Sequence, residues 1–371
     1  MKRVILIVLL LFLCISPTVL SFDIQDEIEK ELGAEKLDSV IPDSIINNEN
    51  LESSDFNYSN AQNSISIQKV INSVLSFLSF GIKEEVKFFA TCFTALVLSA
   101  VFRTFASSIK LSGVKEAVNL AVSIFLCTVL YTQILSLLDM ATLYITELST
   151  FIKALLPFMT TLLCIQGGVS EAIFSNAFIV AVISVLTSFL KSVVLPLSKM
   201  IFSFICAGVL SGISFSPITD FASSVASKTC TISLGVFSAI MYFKNALTSA
   251  ADSLALRSAK LAATNFIPIV GGNVSETVST VLGGAKLVKS TLGIFAFAII
   301  FYLTLIPLVR VTVKKFFVRL LSAISQIIGC TEESKLLSSV LGVYNIIGAL
   351  MISTGVFFII ALAVFVKSGG V

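Results

Sequence analysis

The residues placed to do chemistry in this chain are two sets of helix breakers, each followed by a carboxylate. The first is Pro157, then Gly167-Gly168-Val169-Ser170-Glu171, an apolar stretch, and Pro196. The second is Pro268, then Gly271-Gly272-Asn273-Val274-Ser275-Glu276, an apolar stretch, and Pro307. Pro157 to Pro268 is 111 residues, and so is Pro196 to Pro307, which reads as a degenerate internal repeat over 154–199 and 265–310. Pro and Gly-Gly interrupt a helix. In apolar surroundings the freed backbone groups must face protein or water, and Ser-Glu can cap the helix that follows. Paired breaks of this kind are the pattern of a membrane pathway; two unrelated loop-plus-helix units are the alternative. A third group, Asp252, Arg257, Lys260 and Asn265, lies in a stretch rich in Ala and Ser. It reads either as a buried polar helix or as a solvated cytoplasmic loop helix.

Other chemistry is missing. The sequence has no His, which excludes the usual triads and imidazole metal sites. Six Cys (92, 127, 164, 206, 230 and 330) follow the amino-terminal segment, none as CxxC and most within apolar runs. There they act as small hydrophobes, so free thiols, no metal and no cofactor are expected. No phosphate loop or nucleophile elbow is present. The reading is therefore not an enzyme.

The elements that position these residues follow from composition. Of 371 residues 56% are hydrophobic and only 13% charged, about half the charge of an ordinary soluble domain. Mean hydropathy is +1.00. Uncharged runs at or near spanning length cover 88–102, 117–138, 172–190, 200–219, 229–243, 290–309 and 336–366. A membrane helix needs about 20 such residues. The expected fold is all-α: a polytopic membrane protein of seven to eight transmembrane helices, 86–371, with segments broken by Gly and Pro.

The amino terminus differs. Residues 1–21 carry Lys2 and Arg3, twelve apolar residues from Val4 to Ile15, and small residues at Val19 and Ser21. They read as a secretory signal, with an uncleaved anchor as the alternative. Residues 22–64 form an acidic, polar head, with eleven Asp and Glu between Asp23 and Asp55. From residue 61 onward 21 basic residues outweigh 11 acidic ones. These cations are single residues between apolar runs, which suits membrane topology and not nucleic acid. Residues 65–85 read as an amphipathic helix lying in the interface.

Arg103, Lys110 and Lys115 place the first loop in the cytoplasm, and hence the head outside. Lys191 with Lys199, and Arg310 through Arg319, read as later cytoplasmic segments. Only three uncharged runs separate Lys199 from Arg310, an odd number. A further crossing within 244–289 is therefore expected, unless the charge rule fails there.

The stretch from Lys153 to Arg319 resembles the stage III sporulation protein AE family of endospore-forming bacteria. The resemblance rests on Ala154-Leu155-Leu156-Pro157 with Gly167-Gly168, on Val193-Val194-Leu195-Pro196-Leu197, and above all on Ala255-Leu256-Arg257-Ser258-Ala259-Lys260. The last is followed by Asn265-Phe266-Ile267-Pro268-Ile269-Val270-Gly271-Gly272 and Thr277-Val278-Ser279-Thr280-Val281-Leu282-Gly283. It implies a multi-pass protein of the mother-cell membrane around the forespore. It also implies membership of a secretion-like channel complex, whose partners are a secretion-type ATPase, ring-forming membrane proteins and a forespore-side protein. The alternatives are a self-sufficient secondary transporter of a small metabolite, and a structural scaffold that anchors the channel rings.

Overall fold

A computed structural model describes residues 67–108, 112–165, 169–213, 215–266 and 271–367, with side chains over 85–105, 116–165, 172–213, 217–244 and 290–367. The signal segment and acidic head lie outside the described residues, as do Gly167, Gly168 and Pro268. Among the described residues every regular element is helical: α1 (Ile67–Ser108), α2 (Ser112–Ile165), α3 (Val169–Phe189), α4 (Leu195–Ser211), α5 (Ser216–Phe266), α6 (Gly271–Ile327) and α7 (Thr331–Lys367). A single π-helical turn, Leu190–Val194, joins α3 to α4.

The seven uncharged runs fall on six helices long and apolar enough to cross a membrane. The difference lies at Lys191 and Lys199. These were expected in a cytoplasmic turn, yet Ala172–Ser211 is one 40-residue helical stretch that contains both. Pro196 explains its local form. Proline has no N–H for its α-helical bond, and its ring collides with the carbonyl four residues earlier. The chain widens there, and the Leu195 N–H reaches Leu190 O. Proline therefore bulges this helix without ending it.

Pro157 does less. α2 runs through it to Ile165, so the break expected at Pro157 comes eight residues later, where α2 ends before the Gly167-Gly168 pair. α6 likewise begins at Gly271 and runs through Pro307. The two Gly-Gly pairs thus sit at junctions between helices. Residues 67–84, expected to lie apart in the interface, run without a break into the first span as the front of α1.

Named contacts fix the topology. Lys314 and Thr304 of α6 meet Gln133 and Tyr144 of α2, so these helices are antiparallel. Lys191 meets Thr146, and Phe202 meets Tyr131, so α3 and α4 are also antiparallel to α2. α5 runs parallel to α7, through Ser223 against Gly342 and Phe237 against Phe357. Hence α4 and α6 point the same way with α5 reversed between them. The odd count disappears, and the additional crossing within 244–289 is not required. Residues 245–266 continue α5 and 271–289 open α6; the side chains of Asp252, Arg257, Lys260, Asn265 and Glu276 lie outside the described ones.

α7 is the central helix, packed on α6, α5, α2 and α4. Its antiparallel pairing with α6 passes through Ser322–Ser334, Lys315–Asn345, Thr304–Gly355 and Gly293–Val366. Residue 293 to 322 is about 44 Å of helix. The hairpin turns at Gly329, whose φ of 85° suits a residue without a Cβ. Cys330 N donates to Ser325 O at 2.8 Å and Gly329 N to Gln326 O at 3.2 Å, the paired bonds of a Schellman cap. Glu332 and Glu333 then occupy the first turn of α7, where the helix dipole favours negative charge.

The α2–α4 contact offers a direct check of this packing. Cys127 of α2 and Cys206 of α4 lie within electrostatic reach of each other across it. Copper-phenanthroline should therefore close an intramolecular disulfide between them in native membranes, read as lost alkylation of both residues. A Cys127→Ser protein should show no such bond. Full alkylation of both thiols after oxidation of the wild type would contradict the α2–α4 register.

Candidate functional site: buried polar stations in the helix bundle

Interior polar groups are rare in this bundle, and each has an identifiable cause. At the end where α1 finishes and α6 turns into α7, Arg103 Nη2 lies 2.6 Å from Glu333 Oε1. The Glu333 side chain is fully buried and that of Arg103 is 13% exposed. Ser99 Oγ donates to the same carboxylate oxygen at 3.4 Å, and Arg103 Nη1 donates to Gly329 O at 3.3 Å. Arg103 thereby ties α1 to the hairpin turn and to the start of α7. Cys330 lies in the same layer, and burial together with the Glu333 carboxylate pushes its thiol up. Arg103 Nε and Glu333 Oε2 have no partner among the described residues.

About 27 Å earlier on α1, Glu85 Oε1 meets Lys314 Nζ at 2.8 Å. Lys314 also donates to Gln133 Oε1 of α2. Tyr344 of α7 is 1% exposed and lies within electrostatic reach of Glu85. Its hydroxyl and Glu85 Oε2 are both buried without a partner among the described residues. On the outer side of the same layer, Lys315 Nζ donates to Asn345 Oδ1.

A third station is uncharged. Tyr144 Oη donates to Met351 O at 2.9 Å and shares a hydrogen bond with Thr304 Oγ1 at 3.1 Å. Gly355 makes room for both groups. A fourth pairs the buried Lys244 of α5 with Ser175 of α3. Between the stations the interior is filled by large side chains, among them Phe151, Phe295, Phe357, Phe358 and Phe365, all fully buried.

Among the described residues these stations hold none of the candidates read from the sequence, most of whose side chains lie outside the described ones. Pro157 is exposed on α2. Glu171 stands in the first turn of α3, Gly271 and Gly272 in that of α6, and none of the three has a described side-chain environment. The residues that do meet (Glu85, Arg103, Gln133, Tyr144, Thr304, Lys314 and Glu333) come from four helices. Sequence reasoning used Arg103 and Lys314 only as topological cations. Glu333 had a weak signal, an acidic pair heading the longest uncharged run. Tyr144 and Thr304 had none. Among the described residues no three acidic or cysteine side chains converge as metal ligands.

Long apolar helices locked together through enclosed ion pairs define a polytopic α-helical membrane protein. The family model for Stage III sporulation protein AE matches residues 52–369, and the chain belongs to that family. The stage III sporulation protein AE of Bacillus subtilis (strain 168) is 24% identical over 273 residues, 73% of this chain and 68% of that relative. No solved structure matches.

Proposed function

We propose that this protein is a membrane core subunit of the secretion-like channel complex that joins mother cell and forespore during sporulation. The observation that carries this reading is membership of the sporulation family across nearly the whole membrane domain. Its site of action is then the mother-cell membrane around the forespore, with residues 22–64 outside the cytoplasm. Its partners are a secretion-type ATPase, ring-forming membrane proteins and a forespore-side protein.

The filled interior bears on how such a subunit works. Among the described residues the interior holds several fully buried aromatic side chains. That supports a passage formed between subunits, or an anchoring role for the rings, over a lumen within one chain. A self-sufficient transporter has less in its favour, because α2 and α6 run unbroken through Pro157 and Pro307. We assign no catalytic role.

The decisive experiment is in sporulating cells. Cells lacking the protein should complete engulfment and then fail to form heat-resistant spores. Tagged protein solubilised after engulfment should carry ring-forming membrane proteins with it. Normal spore counts in its absence would overturn the assignment. Solute uptake by the purified protein alone in proteoliposomes would favour the transporter.

A further inference from the structure

Of the four α6 cations with described side chains, two are engaged within the bundle. Lys314 is held by Glu85 and Gln133, and Arg310 is engaged. Lys315 and Arg319 differ. They stand four residues apart on one helix face, where like charges repel, and Arg319 lies within electrostatic range of Lys315. Neither meets a carboxylate among the described residues. The one acceptor given to Lys315 is Asn345 Oδ1 of α7. With its oxygen so occupied, Asn345 keeps its amide N–H groups as donors, and its side chain is exposed. An ammonium, a guanidinium and a primary amide thus stand close together with donors to spare and no carboxylate among the described residues.

The surroundings select the anion. The cluster belongs to the apolar stretch Ser290–Ile327. Beside it on the outer face of α6, Phe316 is 61% and Leu320 38% exposed. A hydrated anion would gain nothing from these apolar neighbours. The phosphate of a lipid would meet the donors while its acyl chains lie along the ring and the aliphatic side chain. We propose that Lys315, Arg319 and Asn345 form a binding site for the phosphate group of an anionic phospholipid.

The test uses the full-length protein, purified in detergent and reconstituted into phosphatidylcholine nanodiscs with or without phosphatidylglycerol. Retained lipid is read by native mass spectrometry. Two cations near an anionic lipid predict an affinity loss of about thirtyfold in the Lys315→Gln, Arg319→Gln protein. Lys153→Gln, an exposed cation on α2, should retain phosphatidylglycerol like the wild type. The charge-preserving Lys315→Arg, Arg319→Lys protein should also retain it, which guards against a mere folding defect. Equal retention by the double glutamine variant would overturn the site. So would displacement of phosphatidylglycerol by inorganic phosphate, which would mark a free-anion site, or phosphatidylcholine bound as tightly as phosphatidylglycerol.

Discussion

Replacing Arg103 by alanine is expected to destabilise the protein by about 3–5 kcal/mol, the usual cost of leaving one member of a buried ion pair alone. Glu333 would keep only the Ser99 hydroxyl, at 3.4 Å, with its second oxygen already unpartnered. Glu333→Ala should cost a similar amount, because Arg103 would retain only the Gly329 carbonyl. Glu333→Gln should cost less, since an amide oxygen still accepts from the guanidinium. The informative variant is the double replacement Arg103→Met, Glu333→Leu. Apolar side chains of similar volume often restore or exceed the stability of a buried pair. Unfolding of the purified protein in mixed micelles measures all four. An Arg103→Ala protein as stable as wild type would show that the pair does not hold α1 to the hairpin.

The consequence reaches beyond stability. α1 carries the acidic head at its amino-terminal side and is fixed to α6 and α7 at two levels about 27 Å apart, through Glu85–Lys314 and Arg103–Glu333. Losing one tether leaves the other, so the single variants should accumulate in the membrane with α1 loosened.

What could be read from the sequence follows from the range of each signal. Hydrophobic length is local, so the apolar runs and the all-α class were legible. Gly-Gly marks a helix terminus locally, and Gly271-Gly272 do open α6. Proline was over-read. Pro157 and Pro307 are accommodated inside long helices, where packing on neighbours and a lost N–H bond nearly balance, and Pro196 yields only a π turn. Lys191 misled for a related reason. A lysine between two apolar runs suggests a loop unless a partner lies within reach, and Thr146, 45 positions away, supplies one. The buried pairs were out of range altogether. Arg103 and Glu333 are 230 residues apart, and only the return of α7 beside α1 brings them together.

The tightest steric feature lies where α7 crosses Thr304 and Tyr144. A Cβ added at Gly355 would stand 2.6 Å from Thr304 Cγ2, 2.7 Å from its Oγ1 and 3.0 Å from Tyr144 Oη. Ordinarily Gly→Ala within a helix gains about 1 kcal/mol from propensity. Here overpacking opposes it, at about 1–3 kcal/mol, and the displaced hydroxyls forfeit a hydrogen bond of about 1 kcal/mol net. Gly355→Ala should therefore destabilise, and Gly355→Val more so. Gly348, two turns earlier on the same face, is the control: its Cβ would meet only Val311 Cγ1 at 3.8 Å, so Gly348→Ala should be neutral or stabilising. Thr304→Ala in the Gly355→Ala background removes the clashing atoms and leaves Tyr144 its bond to Met351 O. The two changes together should then cost less than their sum, a coupling that unfolding midpoints of the four proteins measure directly. Strict additivity would mean that α7 does not approach α6 as closely as this small residue allows.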